Sequence, residues 1–226
     1  MAFDENWEDS IYKKGKQVNR IPYDFVVSIV HRLFSNIEDM SDVNALELGC
    51  GTGNNLGFLL DFGFDNVHGI DGSKTALSVA EKNVVTSGSG QLKLIDADFS
   101  TLPFEDDSYS FVLDRGSITH NDFAASKCIF KEAYRVLRPG GYMVSALFSN
   151  AHSSLHKAQY ISRSFYNAFK DETGTDGLKT SFFSLPDVLE LCGNFDIKSC
   201  VHEVKTEMVG DPKNIAMWYV IAQKTK

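Results

Sequence analysis

Apolar positions change their spacing several times along the chain, and each change marks an element. From Pro22 to Ser35 they fall at Phe25, Val26, Ile29, Val30, Leu33 and Phe34, one helical stripe with Pro22 in its first turn. Val43 to Leu48 reads as a buried strand carrying one acid, Glu47. Three glycines at alternate positions follow, Gly49, Gly51 and Gly53. Asn54 is the expected N-cap of a helix that runs to about Phe62 and stops at Gly63. The alternation continues with a strand at Asn66–Ile70, a helix from Lys74 to about Thr86 capped by Ser73, a turn at Ser87–Gly90, and a strand at Gln91–Ile95. A loop through Pro103 leads to a strand at Tyr109–Leu113. A helix from Phe123 to Leu137, stopped by Pro139-Gly140-Gly141, then leads to a strand at Tyr142–Phe148.

Strands alternating with helices predict a parallel sheet with right-handed crossovers. In such sheets ligands bind beyond the carboxyl ends of the strands. Those ends carry Glu47 and the glycines, Asp71, Asp98, and Asp114 to Gly116, so the polar chemistry converges on one sheet edge. Residues 150–182 are rich in Ser, His, Lys, Tyr and Gly, and a segment of that length predicts a lid or acceptor-binding insertion. Beyond it come a helix at Leu185–Gly193 and two strand-like runs, Phe195–Glu203 and Ile215–Gln223, which suit an antiparallel hairpin at the sheet edge. Residues 1–40 form an arm and a helix on what reads as one domain over 1–226. The arm holds Tyr12 and Arg20 beside a short lysine cluster, and it reads either as a solvated segment or as a flap over the ligand.

Composition narrows the partners. The 226 residues are 43% hydrophobic, enough for one sizeable core. A net charge of −8 without basic runs argues against DNA as a partner. Cys50, Cys128, Cys192 and Cys200 show no zinc-type spacing, so no metal is expected and reduced thiols in a cytoplasmic protein are the reading. The N-terminal residues are too polar for a signal peptide, and no apolar run reaches the roughly 20 residues that span a bilayer. No pattern in the chain specifies an oligomeric state.

The chemistry lies in the turns. Glycine after a strand lets the backbone turn sharply and approach a ligand, and the following helix start presents free N–H groups. Asp71 ends the second strand, where a carboxylate can accept from both ribose hydroxyls. That alone suits a dinucleotide enzyme, yet the dinucleotide fingerprint needs glycine at 54, where Asn54 stands. Asp98-Phe99 sets an acceptor beside an aromatic plane, which suits the amine and face of an adenine.

Glu47-Leu-Gly49-Cys-Gly51-Thr-Gly53, Gly69-Ile-Asp71, Asp98-Phe99 with Asp107-Ser-Tyr-Ser-Phe-Val, and Leu137-Arg-Pro-Gly-Gly141 occur in order. Together they resemble a class I S-adenosylmethionine-dependent methyltransferase of the small-molecule branch. The resemblance implies a three-layer Rossmann-like sandwich with a seven-stranded, mostly parallel sheet, an antiparallel last strand and helices on both faces. It implies S-adenosyl-L-methionine as cofactor, with the glycines at its methionine part, Asp71 on the ribose, Asp98 and Phe99 at the adenine, and Arg115 and Gly116 on the methyl-donor side. Glu47, Cys50, Asn54, Asn55 and Gly72 join that cofactor-binding set, with Tyr12 and Arg20 reaching in from the arm.

Methyl transfer needs a base only when the nucleophile must lose a proton. His120, six residues past Asp114, is the candidate base, ahead of His152 and His156; its other reading is a residue that shapes the next helix. Tyr160 and Tyr166 are either acceptor contacts or core, and Asp114 is a positioning acid. No Asn-Pro-Pro-Tyr element or Pro-Cys nucleophile follows the fourth strand, so base amino-group and cytosine C5 methylation are disfavoured. The expected activity is transfer of a methyl group to a hydroxyl or amine of a small molecule or saccharide. A non-catalytic S-adenosylmethionine-binding regulatory protein is the alternative.

Overall fold

A computed structural model describes residues 4–85, 90–167, 178–210 and 212–225. The predicted turn at 87–89 and the Gly-rich stretch at 171–177 lie outside the described residues. The elements in chain order are α1 (Asp24–Phe34), β1 (Asn44–Leu48), α2 (Asn54–Phe62), β2 (Asn66–Asp71), α3 (Lys74–Asn83), β3 (Gln91–Asp96), β4 (Tyr109–Arg115) and α4 (Phe123–Val136). They continue with β5 (Leu137–Phe148), β6 (Gln159–Ser162), β7 (Phe165–Asn167), β8 (Lys179–Ser181), α5 (Leu185–Leu191), β9 (Asp196–Glu207) and β10 (Lys213–Gln223).

Seven strands form one sheet in the order β3-β2-β1-β4-β5-β10-β9. β1 pairs in parallel with both β2 and β4, and β4 pairs in parallel with β5. The chain therefore winds one way through β2 and β3, then the other way from β4, which opens a crevice beyond the ends of β1 and β4. β10 runs antiparallel to both β5 and β9, so it alone opposes the other strands. The expected hairpin is present, with β9 as the outer strand. β6, β7 and β8 form a second, antiparallel sheet of three strands.

Period-2 alternation sorts the core onto two faces. Leu46 and Leu48 pack with Ile129, Phe130, Ala133 and Val136 of α4 and with Val188 and Leu191 of α5. Ala45 points the other way, into a cluster with Val26, Val30 and Phe34 of α1 and Leu56, Leu59 and Leu60 of α2. Glu47 shares the Ala45 face, so its carboxyl meets the start of α2.

Three local expectations need correction. Gly53, left-handed at φ 81°, is the N-cap of α2, and Asn54 is the first helical residue. Its amide instead donates to the Ile21 carbonyl at 3.0 Å. Pro22 precedes the helix it was expected to enter, because Tyr23 is the N-cap of α1. α4 ends at Val136, before the Pro-Gly-Gly, and β5 starts at once, since Leu137 already pairs with Tyr109 across an irregularity in the β4 register. Ser73 caps α3 as expected, accepting from Ala76 N.

Candidate active site

The carboxyl ends of β1, β2 and β4 open into a cleft of about 510 Å³. Its floor is the glycine turn, where Gly49, Gly51 and Gly53 all have positive φ. The space in front of these glycines is taken by the protein. A Cβ on Gly49 would lie 2.3 Å from Ser117 Cβ, and one on Gly53 would lie 2.7 Å from Val84 Cγ2. A Cβ on Gly51 would lie 2.9 Å from the Tyr12 hydroxyl. The sequence alone suggested that the glycines make room for a ligand; at all three the space a Cβ would fill already meets a side chain, and Gly49 and Gly51 also line the cleft.

Acids stand at three strand ends. Glu47 is 2% exposed. Its Oε1 accepts from Asn55 Nδ2 at 2.6 Å, while Oε2 is buried with no hydrogen-bond partner among the described residues. Burial pushes this carboxyl up to about 8, the Asn55 hydrogen bond opposes the rise, and the nearby Asp114 and Asp71 add to it. Asp71 accepts from Gly51 N at 2.9 Å and from Ser73 N at 2.8 Å, which ties the end of β2 to the glycine turn. Its burial raises the carboxyl above the ordinary range, and those two N–H groups hold it down in part. Asp114, fully buried, accepts from Ser117 N, Ile118 N and Ser145 Oγ. It is a clamp on the turn after β4 and does not line the cleft.

Arg115, Gly116, Gly72, Cys50, Asn54, Asn55, Asp98 and Phe99 line the cleft with Glu47, Gly49, Gly51 and Asp71. Asp98 Oδ1 accepts from Ser100 N at 2.7 Å, which orients its carboxyl. The Arg115 guanidinium lies 3.7 Å above the Tyr23 ring, and its Nε is buried without a partner among the described residues.

The arm folds over this floor. A π-helical turn at Trp7–Ile11 and a 3-10 turn at Tyr12–Lys14 place Trp7 and Tyr12 on the cleft wall. Glu8 fastens the arm: its carboxylate accepts from Ser73 Oγ, Thr75 Oγ1 and Thr75 N at the start of α3, where the helix dipole also favours an anion. Thr52 exchanges hydrogen bonds with the Asn19 backbone at 3.0 and 3.1 Å, and Asn55 accepts from Tyr23 N at 3.2 Å. Tyr12 therefore sits where expected, with burial raising its hydroxyl well above the ordinary value. Arg20 does not; it is exposed and outside the cleft wall, because the chain there is held by backbone contacts of Asn19 and Ile21. Arg115 brings the guanidinium to the cleft.

The far end of the cleft is built from His120 and Asn121 after β4, Phe148 at the end of β5, Phe165 of β7, Lys179 of β8 and Trp7. The His120 ring meets Trp7 edge-on at 4.7 Å, and its Nδ1 lies 3.2 Å from the Lys179 carbonyl. A carbonyl can only accept, so Nδ1 carries the hydrogen and Nε2 is the basic nitrogen of the neutral ring. His152 is buried, packed between Phe148 and Phe182, and His156 is exposed; neither lines the cleft. Tyr160 is 65% exposed, Tyr166 packs on it at 5.6 Å, and both lie outside the cleft wall. Trp7, Asn19, Tyr23, Ser117, Phe148, Phe165 and Lys179 belong to the wall without any motif to mark them.

The family description "Methyltransferase domain" matches residues 45–141. An S-adenosylmethionine-dependent methyltransferase of Methanosarcina mazei, of solved structure, is 26% identical, covers 91% of this chain and 99% of its own, and superposes with a TM-score of 0.69. Demethylmenaquinone methyltransferase of Bacillus velezensis is 35% identical over 44% of this chain and 43% of the relative. Sterol 24-C-methyltransferase of Neurospora crassa is 29% identical over 53% of this chain and 31% of the relative. The matched stretch thus spans less than half of these two curated relatives. Residues 45–141 thus match a methyltransferase domain, and over its whole length the chain is similar in fold to an S-adenosylmethionine-dependent methyltransferase; S-adenosyl-L-methionine is the cofactor that this likeness implies.

Proposed function

We propose that this chain is an active methyltransferase that methylates a hydroxyl or amine of a small molecule or saccharide. The observation that carries the donor assignment is the buried, unpartnered Glu47 Oε2 facing the glycine turn. A buried carboxylate oxygen without a partner is costly, and an ammonium group offsets that cost best. S-adenosylmethionine has such a group at its methionine end, so the residues present fit it. Glu47 would hold the ammonium and Arg115 the methionine carboxylate. Asp71 would accept from the ribose hydroxyls, and Asp98 with Phe99 would flank the adenine.

When bound, the sulfonium supplies an activated methyl group: the acceptor oxygen or nitrogen forms the new bond to carbon while the carbon–sulfur pair stays on sulfur. The chain's contribution is alignment and exclusion of water, with the arm as roof. For a hydroxyl acceptor, His120 receives the proton at Nε2, and the Lys179 carbonyl on Nδ1 steadies the imidazolium that forms.

Calorimetry with S-adenosylmethionine, followed by S-adenosylhomocysteine release with a panel of hydroxyl and amine acceptors, tests both halves. Binding with turnover is expected. Absence of binding would overturn the donor assignment, and binding without turnover on any acceptor would favour a regulatory role.

A further inference from the structure

The far end of the cleft contains a charge that the donor does not use. Lys179 lies on β8 and lines the cleft, its backbone carbonyl meets the His120 ring, and its side chain forms no ion pair among the described residues. Among the described residues the cleft wall has one other arginine or lysine, Arg115, which stacks on the Tyr23 ring and which the reading above gives to the donor's carboxylate. The acids of the donor end are Glu47, Asp71 and Asp98. The arm adds two acids to the wall, Asp4, whose Oδ1 accepts from Asn6 N at 3.0 Å, and Glu5, and neither forms an ion pair with Lys179 among the described residues. Three flat apolar groups, Trp7, Phe148 and Phe165, share the cleft wall with Lys179, and Trp7 and Phe148 both pack edge-on against the His120 ring, at 4.7 and 6.4 Å. Phe148 is itself backed by a stacked Phe182 at 5.9 Å.

A cation, aromatic walls and a basic imidazole at one end of a cleft describe a ligand with three parts. The hydroxyl faces His120, a flat or apolar body lies between the rings, and an anionic group meets the ammonium. We infer that the acceptor is a small hydroxylated molecule bearing a carboxylate or phosphate, and that Lys179 is the residue that selects it. This inference rests on the methyltransferase reading above and narrows its acceptor class. A lysine without an ion pair in a cleft wall attracts an anion over a longer range than a neutral donor does, and it forms a charge-assisted hydrogen bond on contact.

The experiment uses the whole protein saturated with S-adenosylhomocysteine. Three phenols with an anionic, a neutral and a cationic group at the far end are titrated in: 4-hydroxybenzoate, 4-hydroxybenzamide and tyramine. The wild type is expected to bind the carboxylate about tenfold more tightly than the amide, with tyramine weakest. Lys179→Met should bring the carboxylate and amide to within about twofold, Lys179→Arg should keep the preference, and neither should change S-adenosylhomocysteine affinity. Equal binding of the three probes, a preference that survives Lys179→Met, or no binding of any probe to the loaded protein would each overturn the role of Lys179. Failure of S-adenosylhomocysteine itself to bind would instead remove the methyltransferase reading on which the inference stands.

Discussion

Assigning the Glu47 carboxyl to the donor's ammonium predicts that donor binding depends on pH. Without ligand its carboxyl titrates at about 8, so at pH 7 roughly one protein in ten carries the charge that an ammonium needs. The donor must therefore displace a proton on binding. With a free-state value of about 8, the apparent Kd should fall about twentyfold between about pH 6 and 7.5, close to the limiting slope of one decade per pH unit. Titrations in two buffers of different ionisation enthalpy should show release of about 0.9 proton per site near pH 7. Glu47→Gln should bind more weakly and lose the pH dependence over that range. A Kd independent of pH in the wild type, or a dependence that survives in Glu47→Gln, would refute the assignment of this carboxyl to the ammonium. The ligand-free protein should show the opposite trend in stability. A carboxyl whose folded value exceeds the ordinary 4.5 holds its proton more tightly when folded, so its contribution is full below about 4.5 and declines as pH rises through about 8. Glu47→Gln should accordingly raise the Tm most at pH 8 and above.

Gly53→Ala should destabilise the fold by about 1–3 kcal/mol in denaturant titration, because φ is 81° and the new Cβ would meet Val84 at 2.7 Å and Ala80 at 3.0 Å. Glu8→Ala removes three hydrogen bonds between the arm and the start of α3. It should speed hydrogen exchange in residues 4–16 and raise the S-adenosylhomocysteine off-rate in stopped flow; unchanged rates would mean that the arm does not gate the donor. His120→Gln should lower turnover of a hydroxyl acceptor by about 10²–10⁴ while leaving S-adenosylhomocysteine affinity intact, and equal turnover would reassign His120 to shaping the turn after β4.

The glycine-turn half of the cleft wall was legible because its residues are local in the chain. A strand, a glycine turn and a helix start are contiguous, so Glu47, Gly49, Gly51 and Asn55 come together within nine residues. Asp71, Asp98 and Arg115 follow from the rule that parallel strands end on one edge. Spacing carries no trace of the side chains packed against the glycines, since the neighbours of Gly49 and Gly53, Ser117 and Val84, are distant in sequence. Arg20 and Arg115 show the same limit from the other side. Both are arginines near a turn, and only the docking of Asn19 and Ile21 on Thr52 and Asn54 leaves the first outside.

The acceptor half comes from tertiary structure alone. Trp7, His120, Phe148, Phe165 and Lys179 lie on five segments with no shared motif, and they meet because the arm, the turn after β4 and the small sheet converge over one end of the cleft. Hydrophobic period and turn chemistry act over a few residues, so the sequence by itself determined the alternating strands and helices, the parallel core and the donor turn. Which side chains share a cavity depends on long-range packing, which carries no periodic trace in the chain. That packing decided that Asp114 is a clamp, that Arg115 lines the cleft, and that Lys179, without an ion pair among the described residues, shares the cleft wall with the candidate base.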